Sequence, residues 1–252
     1  MKKLILILVS STLLIFTSEA QRGNGRSGAN VKWLSLAVKG GVGNSIFFNK
    51  AHKEDENISL NYTTLSYSYG GRFTFTYGEN FGFGAELLMT TCGQKYGLKQ
   101  GNTNYDKTIK LKALEISPFF RYTGYNSVYA EVGAKFSTVN SIDVSNSIDK
   151  SFTLEQDIAK KAEQKFTGAF IGFGFAVFKT ERLDLNLGLR AAYSFTDLTP
   201  ENDFTSDGYF LPANNTPEST HPFTAQVLFE LNYYFAFWGD ASCGRGKLMF
   251  FQ

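Results

Sequence analysis

The chain has 252 residues, a formal net charge of +2 at pH 7 and a mean hydropathy of -0.17. A charge this small gives no reason to expect nucleic acid as a partner, and the hydropathy is too polar for a protein built from membrane-spanning helices. Phenylalanine and glycine are abundant, with 25 and 24 residues, whereas cysteine occurs only twice. Membrane-spanning β-barrels have such averages, because half of each strand is polar.

The first 20 residues have the pattern of a signal peptide. Lys2 and Lys3 precede an apolar run over residues 4–16, and small residues then lead to a cleavage site after Ala20. The run is shorter than the roughly 20 residues that a helix needs to cross a bilayer, so a helical anchor is the weaker alternative. Residues 21–31 follow as a leader rich in glycine, asparagine and arginine.

The first predicted strand covers residues 32–48. One face carries Leu34, Leu36 and Val38, and the other carries Trp33, Ser35, Ala37 and Lys39. Such a period of two indicates a β-strand, because successive side chains point to opposite faces. The pair Gly40 and Gly41 predicts a bulge in this strand.

The second predicted strand, residues 65–77, has the clearest alternation in the chain. One face carries Leu65, Tyr67, Tyr69, Gly71, Phe73, Phe75 and Tyr77, and the other carries Ser66, Ser68, Gly70, Arg72, Thr74 and Thr76. An aromatic face opposite a face of small polar residues and one arginine is typical of a barrel strand with lipid outside and a polar lumen inside.

Six further segments alternate in the same way and complete a prediction of eight strands. They cover residues 81–90, 113–122, 128–137, 167–177, 183–190 and 223–237. Together these segments predict an all-β fold, an eight-stranded antiparallel up-and-down barrel that spans a membrane. A soluble lipocalin-like barrel, with the apolar faces turned inward, is the structural alternative.

The connections between the predicted strands alternate between long and short. Long loops are predicted at residues 49–61, 93–107, 138–164 and 196–222, and short turns at 78–80, 124–126 and 179–181. Outer-membrane barrels place short turns and both termini in the periplasm, so the long loops are expected outside the cell. Within the third loop, Thr153 and Gln156 resemble a capping box and predict a short helix.

The inner faces of the predicted barrel carry five basic and five acidic side chains. They are Lys39, Arg72, Arg121, Lys135 and Arg190 with Glu86, Glu115, Glu131, Asp184 and Glu230. Counting back from the short turns sets Arg72 opposite Glu86, Glu115 opposite Lys135, Arg121 diagonal to Glu131, and Arg190 level with Glu230. Since a buried ion is costly unless it is paired, these matches predict structural salt bridges that fill the lumen.

A charged pore and a catalytic carboxylate pair are the functional alternatives to that interpretation. The interior of an eight-stranded barrel is just wide enough to be filled by side chains, which argues against a pore. The only histidines are His52 and His221, both in or beside predicted loops, so no catalytic constellation is expected. The sequence likewise predicts no cofactor and no metal site.

Two groups of residues outside the lumen are candidates for contacts. Lys110 and Lys112 extend the outward face of the fourth predicted strand beyond its apolar part, where they would meet lipopolysaccharide phosphates. A simple continuation of the strand into a solvated loop is the alternative. The C-terminal tail is expected to be either disordered or a docking segment, formed by Arg245, Lys247, Leu248, Met249, Phe250 and Phe251.

Residues 36–45, LAVKGGVGNS, and residues 231–235, LNYYF, resemble the Bacteroidota outer-membrane β-barrel family called PorT-like. The end of the signal peptide, Ala20-Gln21, is also similar to that family, and the architecture resembles the small OmpX and OmpA barrels. The resemblance implies a Gram-negative outer-membrane protein. Some members of the family are accessory subunits of type 9 secretion and gliding complexes.

The predicted organisation is a signal peptide at 1–20, a periplasmic leader at 21–31, an outer-membrane barrel at 32–238 and a periplasmic tail at 239–252. The predicted function is binding or scaffolding through the long loops or the tail, with outer-membrane lipids, lipopolysaccharide and other envelope proteins as partners. Nucleic acid is not expected as a partner. The alternatives are an outer-membrane enzyme that acts on lipid or peptide, and a small channel.

Overall fold

The computed structural model describes residues 32–49, 58–61, 63–78, 80–100, 103–124, 127–146, 164–180, 182–198, 219–240 and 246–250. These residues belong to one compact unit, Val31–Gln252. No helix that is long and apolar enough to cross a membrane occurs among them. The short helix predicted near Thr153 and Gln156 lies outside the described residues.

The described chain forms ten β-strands. They are β1 Lys32–Phe48, β2 Ile58–Asn61, β3 Thr64–Tyr77, β4 Phe81–Gln100, β5 Thr103–Thr123, β6 Val128–Asn146, β7 Lys165–Lys179, β8 Leu183–Ser194, β9 His221–Asp240 and β10 Gly246–Phe250. Eight of them, β1 and β3 to β9, pair in chain order, and β1 also pairs antiparallel with β9. This closed ring confirms the predicted eight-stranded barrel.

The barrel strands turn apolar side chains outward and polar side chains inward. In β3, Leu65 and Tyr69 are 64% and 58% exposed, whereas Arg72 on the other face is 3% exposed. The same division holds around the ring, with Val38, Leu87, Val132, Phe173, Leu189 and Phe229 among the exposed apolar residues. A soluble barrel would bury these side chains, so the lipocalin-like alternative is wrong, and the outer face suits lipid.

Aromatic rings gather at both edges of this apolar surface. At the end where β1 begins and β9 finishes, which we call the terminal end, the Phe81 ring lies 5.5 Å from Tyr122. At the opposite or loop end, the Phe48 ring lies 5.6 Å from Phe223 and 6.4 Å from Tyr193. Two aromatic girdles of this kind mark the two interfaces of a membrane.

At the loop end, β4 and β5 rise beyond the apolar surface. They pair without interruption as far as Gln100 and Thr103, so the long loop predicted at 93–107 is wrong. β6 likewise continues to Asn146, inside the loop predicted at 138–164. We call the parts of these strands beyond the apolar surface, together with β2, the strand extension.

The strand extension has its apolar side chains on the inside. A buried core lies behind it, to which β1, β7 and the segment after β8 also contribute; it is formed by Phe47, Tyr96, Ile109, Leu111, Phe166 and Leu198. Because water replaces lipid at this level, the hydrophobic effect turns apolar residues inward and leaves polar residues outside. The pattern is therefore the reverse of the one in the membrane. A prediction that expects apolar side chains on the outer face along the whole strand therefore ends these strands too early.

The two short strands adjoin the ring at opposite ends. β2 pairs with β4 from Ile58 opposite Leu98 onwards, so the end of the loop predicted at 49–61 is a strand. β10 pairs with the last residues of β9, from Gly246 opposite Asp240. The segment 246–250 is thus a strand at the terminal end, and not a free tail.

Two details of register bear on the predictions. The turn predicted at 78–80 is confirmed, since Tyr77 pairs with Phe81 and Gly78 has a φ of 64°. The bulge predicted at Gly40 and Gly41 is wrong, because β1 pairs with β3 there without any shift. The irregularity of β1 lies instead between Leu34 and Ser35, against β9.

Candidate functional site

The lumen of the barrel holds the ten charged side chains that the alternation places on the inner faces. All ten are buried in the structure: Lys39, Arg72, Glu86, Glu115, Arg121, Glu131, Lys135, Asp184, Arg190 and Glu230. They form neither a line of separate pairs nor an open path. Most of them meet in one place.

Seven of these side chains form what we call the charged cluster. Its cations are Lys39, Arg72, Arg121 and Arg190, and its anions are Glu86, Glu131 and Glu230. The seven come from β1, β3, β5, β8, β4, β6 and β9 respectively, so every barrel strand except β7 contributes one charge. A single network of ion pairs therefore links seven strands of the barrel wall across the lumen.

Glu86 binds one arginine of the cluster through both of its carboxylate oxygens. Its carboxylate oxygens accept hydrogen bonds from both terminal nitrogens of Arg190, at 2.7 and 2.9 Å. Lys39 Nζ donates to Glu86 Oε1 at 2.7 Å. A bidentate arginine with a second cation is a strong arrangement for a buried carboxylate.

Glu230 and Glu131 share the other two arginines. Arg121 donates to both glutamates, at 2.8 Å to Glu230 Oε1 and 2.9 Å to Glu131 Oε2. Arg72 Nη1 donates to Glu230 Oε2 at 2.6 Å and to Glu131 Oε2 at 3.1 Å. Asn232 adds a neutral donor to Glu230 Oε1 at 2.9 Å.

The three glutamates approach one another as closely as the ligands of a metal ion. One oxygen from each of Glu86, Glu131 and Glu230 lies within 4.8 Å of the other two. Four cationic side chains already surround these oxygens and compensate their charge, as buried carboxylates require. The arrangement therefore works as an ion-pair network without an added cation.

Each arginine of the cluster also stacks on an aromatic ring. The guanidinium carbons of Arg72, Arg121 and Arg190 lie 3.6, 3.8 and 3.8 Å from the ring centroids, and the rings are Phe119, Tyr129 and Phe170 respectively. Stacking of a desolvated cation on a ring face contributes about 2 kcal/mol or more. The three rings thus fix the planes of the guanidinium groups that bind the glutamates.

Glycines in the neighbouring strands make room for these rings. A Cβ atom on Gly84 would meet the Phe119 ring, and one on Gly133 would meet the Phe170 ring. Gly172 of β7, the strand without a charge in the cluster, leaves space for Glu131 in the same way. Aromatic residues facing inward opposite glycines are the signal that could have identified this part of the site from the sequence.

Lys135 and Glu115 form a separate ion pair next to the cluster, with Nζ and Oε2 3.0 Å apart. The pairing register predicted for them is wrong, because Glu115 lies opposite Ser137. The turn between β5 and β6 is longer than predicted, with Ser127 at a φ of 59°, and this shifts the two strands by two residues. The same shift places Arg121 directly opposite Glu131 rather than diagonal to it.

A small cavity of about 20 Å³ separates the charged cluster from the apolar core at the loop end. Polar side chains line most of it, among them Ser66, Ser68, Thr90, Gln226 and Lys135. This volume holds about one water molecule. The lumen is therefore obstructed by the charged cluster below the cavity and by the apolar core above it.

Asp184 is buried but does not join the ion pairs. The Tyr234 hydroxyl donates to Asp184 Oδ2 at 2.8 Å, and Asp184 has no salt bridge within the described part of the chain. Its prediction as a member of the ion pairs is therefore wrong. Arg190 and Glu230 are also not level with each other, since they lie opposite Gln226 and Asn186.

The two candidate lipopolysaccharide contacts lie on the outer face of β5. Both Lys110 and Lys112 are exposed, just beyond the apolar surface. Asp143 Oδ2 lies 2.7 Å from Lys112 Nζ, and this hydrogen bond raises the pKa of Lys112. The Lys110 ammonium group has no hydrogen bond or salt bridge to any residue that the structure describes.

Several residues singled out in the sequence have no described side chain. His52, Arg245 and Phe251 lie outside the described residues, and only the backbone is described from Gly246 to Phe250. His221 packs its ring 5.7 Å from Tyr193 in the aromatic girdle at the loop end.

No protein-family model and no curated protein matches this chain. Among solved structures it is similar to the outer membrane protein OprG from Pseudomonas aeruginosa, at 13% identity and a TM-score of 0.44, covering 82% of this chain and 96% of that one. The Neisserial surface protein A matches at 13% identity and a TM-score of 0.32, covering 81% and 97%. The Escherichia coli outer membrane protease OmpT matches at 11% and 0.35, covering 85% and 99%. At identities and TM-scores this low, we transfer no function from these proteins.

Proposed function

We propose that this chain is a closed barrel of the bacterial outer membrane that acts by binding, and not by conduction or catalysis. The apolar outer surface with its two aromatic girdles supports a membrane-spanning position. The signal-peptide pattern of the first 20 residues supports export across the inner membrane. An exported barrel of this size has the outer membrane as its destination.

The charged cluster is the observation that carries the proposal. Glu86 of β4 and Arg190 of β8 stand four strands apart in the ring of eight, and their side chains meet at 2.7 Å. Contacts between opposite walls leave no continuous water path at that level. A channel of this strand number would need those groups to separate.

The binding surface in this proposal is the strand extension at the loop end, which we place outside the cell. β4 continues from Thr91 to Gln100, and at about 3.3 Å per residue these ten residues reach roughly 30 Å along the strand. A stiff paired sheet of that length presents side chains well clear of the lipid. It suits an accessory subunit of a larger envelope complex, and the PorT-like resemblance points to secretion or gliding machinery.

An enzyme is the alternative to a binding protein, and the positions of the two histidines distinguish these functions. His221 belongs to an aromatic girdle that faces lipid, which is a poor position for a general base acting in water. We therefore expect no hydrolysis of lipid or peptide substrates by the purified chain. A hydrolytic activity that disappears when His52→Ala and His221→Ala are combined would identify an enzyme instead.

Conductance in planar bilayers tests the closed barrel directly. The wild-type chain should show negligible steady conductance, because ion-paired side chains block the lumen. The combined variant Arg190→Ala and Arg121→Ala should also stay closed, because the apolar core still obstructs the loop end, and so should Lys179→Gln, on an exposed lysine at the terminal end. A stable open state in the wild type would contradict the proposal and favour a small channel.

A further inference from the structure

A polar groove opens on the outer face of the strand extension, where β3 gives way to β2. Tyr67 of β3 lies opposite Thr91 of β4, and Asn61 of β2 lies opposite Lys95. Six residue steps on one side therefore face four on the other, and the two extra residues bend the chain away from β4. The bend creates a hollow on the outside of the barrel.

Hydrogen bonds hold the bend in one shape and seal it from the lumen. Thr63 donates to Asn61 Oδ1 from its backbone nitrogen at 3.0 Å and from its hydroxyl at 2.6 Å. From the inside, Gln94 Nε2 donates to the Asn61 carbonyl at 2.8 Å, and Ser45 Oγ donates to the Gly93 carbonyl at 2.6 Å. The groove is thus a preformed surface feature and not an entrance to the barrel.

The groove has the size and the chemistry of a carbohydrate site. Its volume is about 480 Å³, within the range of ligand sites. Polar side chains, one leucine and a bare glycine line it, namely Ser59, Leu60, Asn61, Thr63, Lys95, Gly97 and Asp106. Lys95 Nζ and Asp106 Oδ2 form an exposed ion pair at 2.7 Å, so a donor and an acceptor stand side by side. Sugar hydroxyls both donate and accept, and such a mixture of partners satisfies them.

An apolar surface, two lysines and the polar groove follow one another with height above the membrane, on the outer face of β4 and β5. Along the outer face of the β4 and β5 pair, Met89 opposite Leu114 ends the apolar surface, and Lys112 and then Lys110 come next. The groove follows, where Lys95 and Gly97 face Thr108 and Asp106. Acyl chains, phosphates and sugars of an outer-leaflet lipid occur in this same order with height above the membrane.

We propose that this outer face binds a phosphorylated glycolipid of the outer leaflet, with its phosphate at Lys110 and its sugars in the groove. Lys110 is the cation available for the phosphate, since Asp143 already occupies Lys112. This inference rests on the proposed function, because it requires the loop end to lie outside the cell. It names one ligand class for the proposed binding surface.

Titration by native mass spectrometry of the full chain, purified in detergent free of lipopolysaccharide, tests the inference. The probes are lipopolysaccharide that carries core sugars, lipid A that carries phosphates without core sugars, and the free core oligosaccharide. The sugar-bearing lipid should bind at least about tenfold more tightly than lipid A, since that factor needs only one or two net hydrogen bonds. The free oligosaccharide should bind more weakly than the lipid that carries it.

Variants assign the two halves of the site. Ser59→Trp fills the groove and Asp106→Ala removes its carboxylate acceptor, so each should reduce the preference for the sugar-bearing lipid while leaving lipid A binding unchanged. Lys110→Gln should weaken binding of both lipids by similar factors. Lys179→Gln, at the opposite end of the barrel, is the matched control and should change neither.

Equal affinities for the two lipids, or a preference that survives both groove variants, would overturn the inference. Binding of the free oligosaccharide as tightly as the sugar-bearing lipid would also overturn it, because the membrane lipid would then not be the ligand. These failures are separable from failure of the proposed function. A barrel that stays closed in bilayers but does not distinguish the lipids loses only this inference, whereas an open wild-type barrel removes the proposed function itself.

Discussion

At the scale of single residues, the buried charges of the cluster are tolerated because each of them contacts at least two side chains of opposite charge. Glu131 contacts Lys39, Arg72, Arg121 and Arg190, at distances from 2.7 to 3.4 Å. Removing water from an ion costs several kcal/mol, and several short contacts are needed to offset that cost. Loss of one side chain should therefore disturb the whole cluster rather than one bond.

A double-mutant cycle on Arg190 and Glu86 measures this dependence. Either Arg190→Gln or Glu86→Gln alone leaves a buried charge without its bidentate partner and should cost about 3 to 5 kcal/mol of unfolding free energy. The double change should cost less than the sum. Urea unfolding in lipid, followed by heat-dependent gel mobility, provides the measurement, and strict additivity would contradict the pairing.

The same cycle on Arg72 and Glu86 should give a smaller coupling energy. These two residues are direct cross-strand neighbours, as predicted, yet their nearest atoms are 3.5 Å apart. Arg72 instead reaches Glu230 at 2.6 Å. A coupling for this pair that exceeds the coupling between Arg190 and Glu86 would show that neighbouring strands, and not the contacts across the lumen, dominate the cluster.

The sequence allows the inward charges to be predicted, but not their partners. Alternation places Lys39 and Glu131 on inner faces, and it carries no information about which strands face each other once the ring closes. Their strands are four apart among eight, and their contact at 3.4 Å depends on strand tilt and closure. Counting from tight turns yields only neighbours, so the contacts across the lumen could not be predicted in that way.

At the scale of strands, the glycines that face the stacked rings should tolerate no side chain. Gly133→Ala would push a methyl group into the Phe170 ring and against the Pro118 carbonyl, and overpacking of this kind costs typically about 1 to 3 kcal/mol. Gly71→Ala, where the nearest atom would be 3.8 Å away, is the matched control and should be close to neutral. Urea unfolding of the two variants provides the measurement. Equal losses of unfolding free energy would mean that space for the Phe170 ring is not the reason for the glycine at position 133.

The strands themselves could be predicted wherever one face meets lipid. Residues 65–77 are nearly the whole of β3, because the boundary between lipid and lumen keeps one polarity along the strand. The prediction failed where the surroundings change, as at Gln94 and Tyr96, which are buried on the inside of the strand extension. A strand that leaves the membrane keeps its backbone pairing while its pattern inverts, so polarity alone cannot locate its end.

At the scale of the whole molecule, the proposed orientation places the strand extension outside the cell. Single cysteines at Lys99, at the tip of β4, and at Thr180, at the terminal end, test it in a background without Cys92 and Cys243. A membrane-impermeant maleimide on intact cells should label position 99 and not position 180. Labelling of position 180 alone would reverse the orientation and would place the groove in the periplasm.

The closing seam of the ring has a consequence for how the barrel assembles. Lys39 of β1 lies directly opposite Glu230 of β9, so two members of the charged cluster sit on the first and last strands of the ring. A slip of two residues at this seam keeps every face correct but displaces Lys39 by about 7 Å along the strand from Glu230. The misclosed ring would hold unmatched buried ions, so the charged cluster favours one shear of the barrel over those that differ from it by two residues.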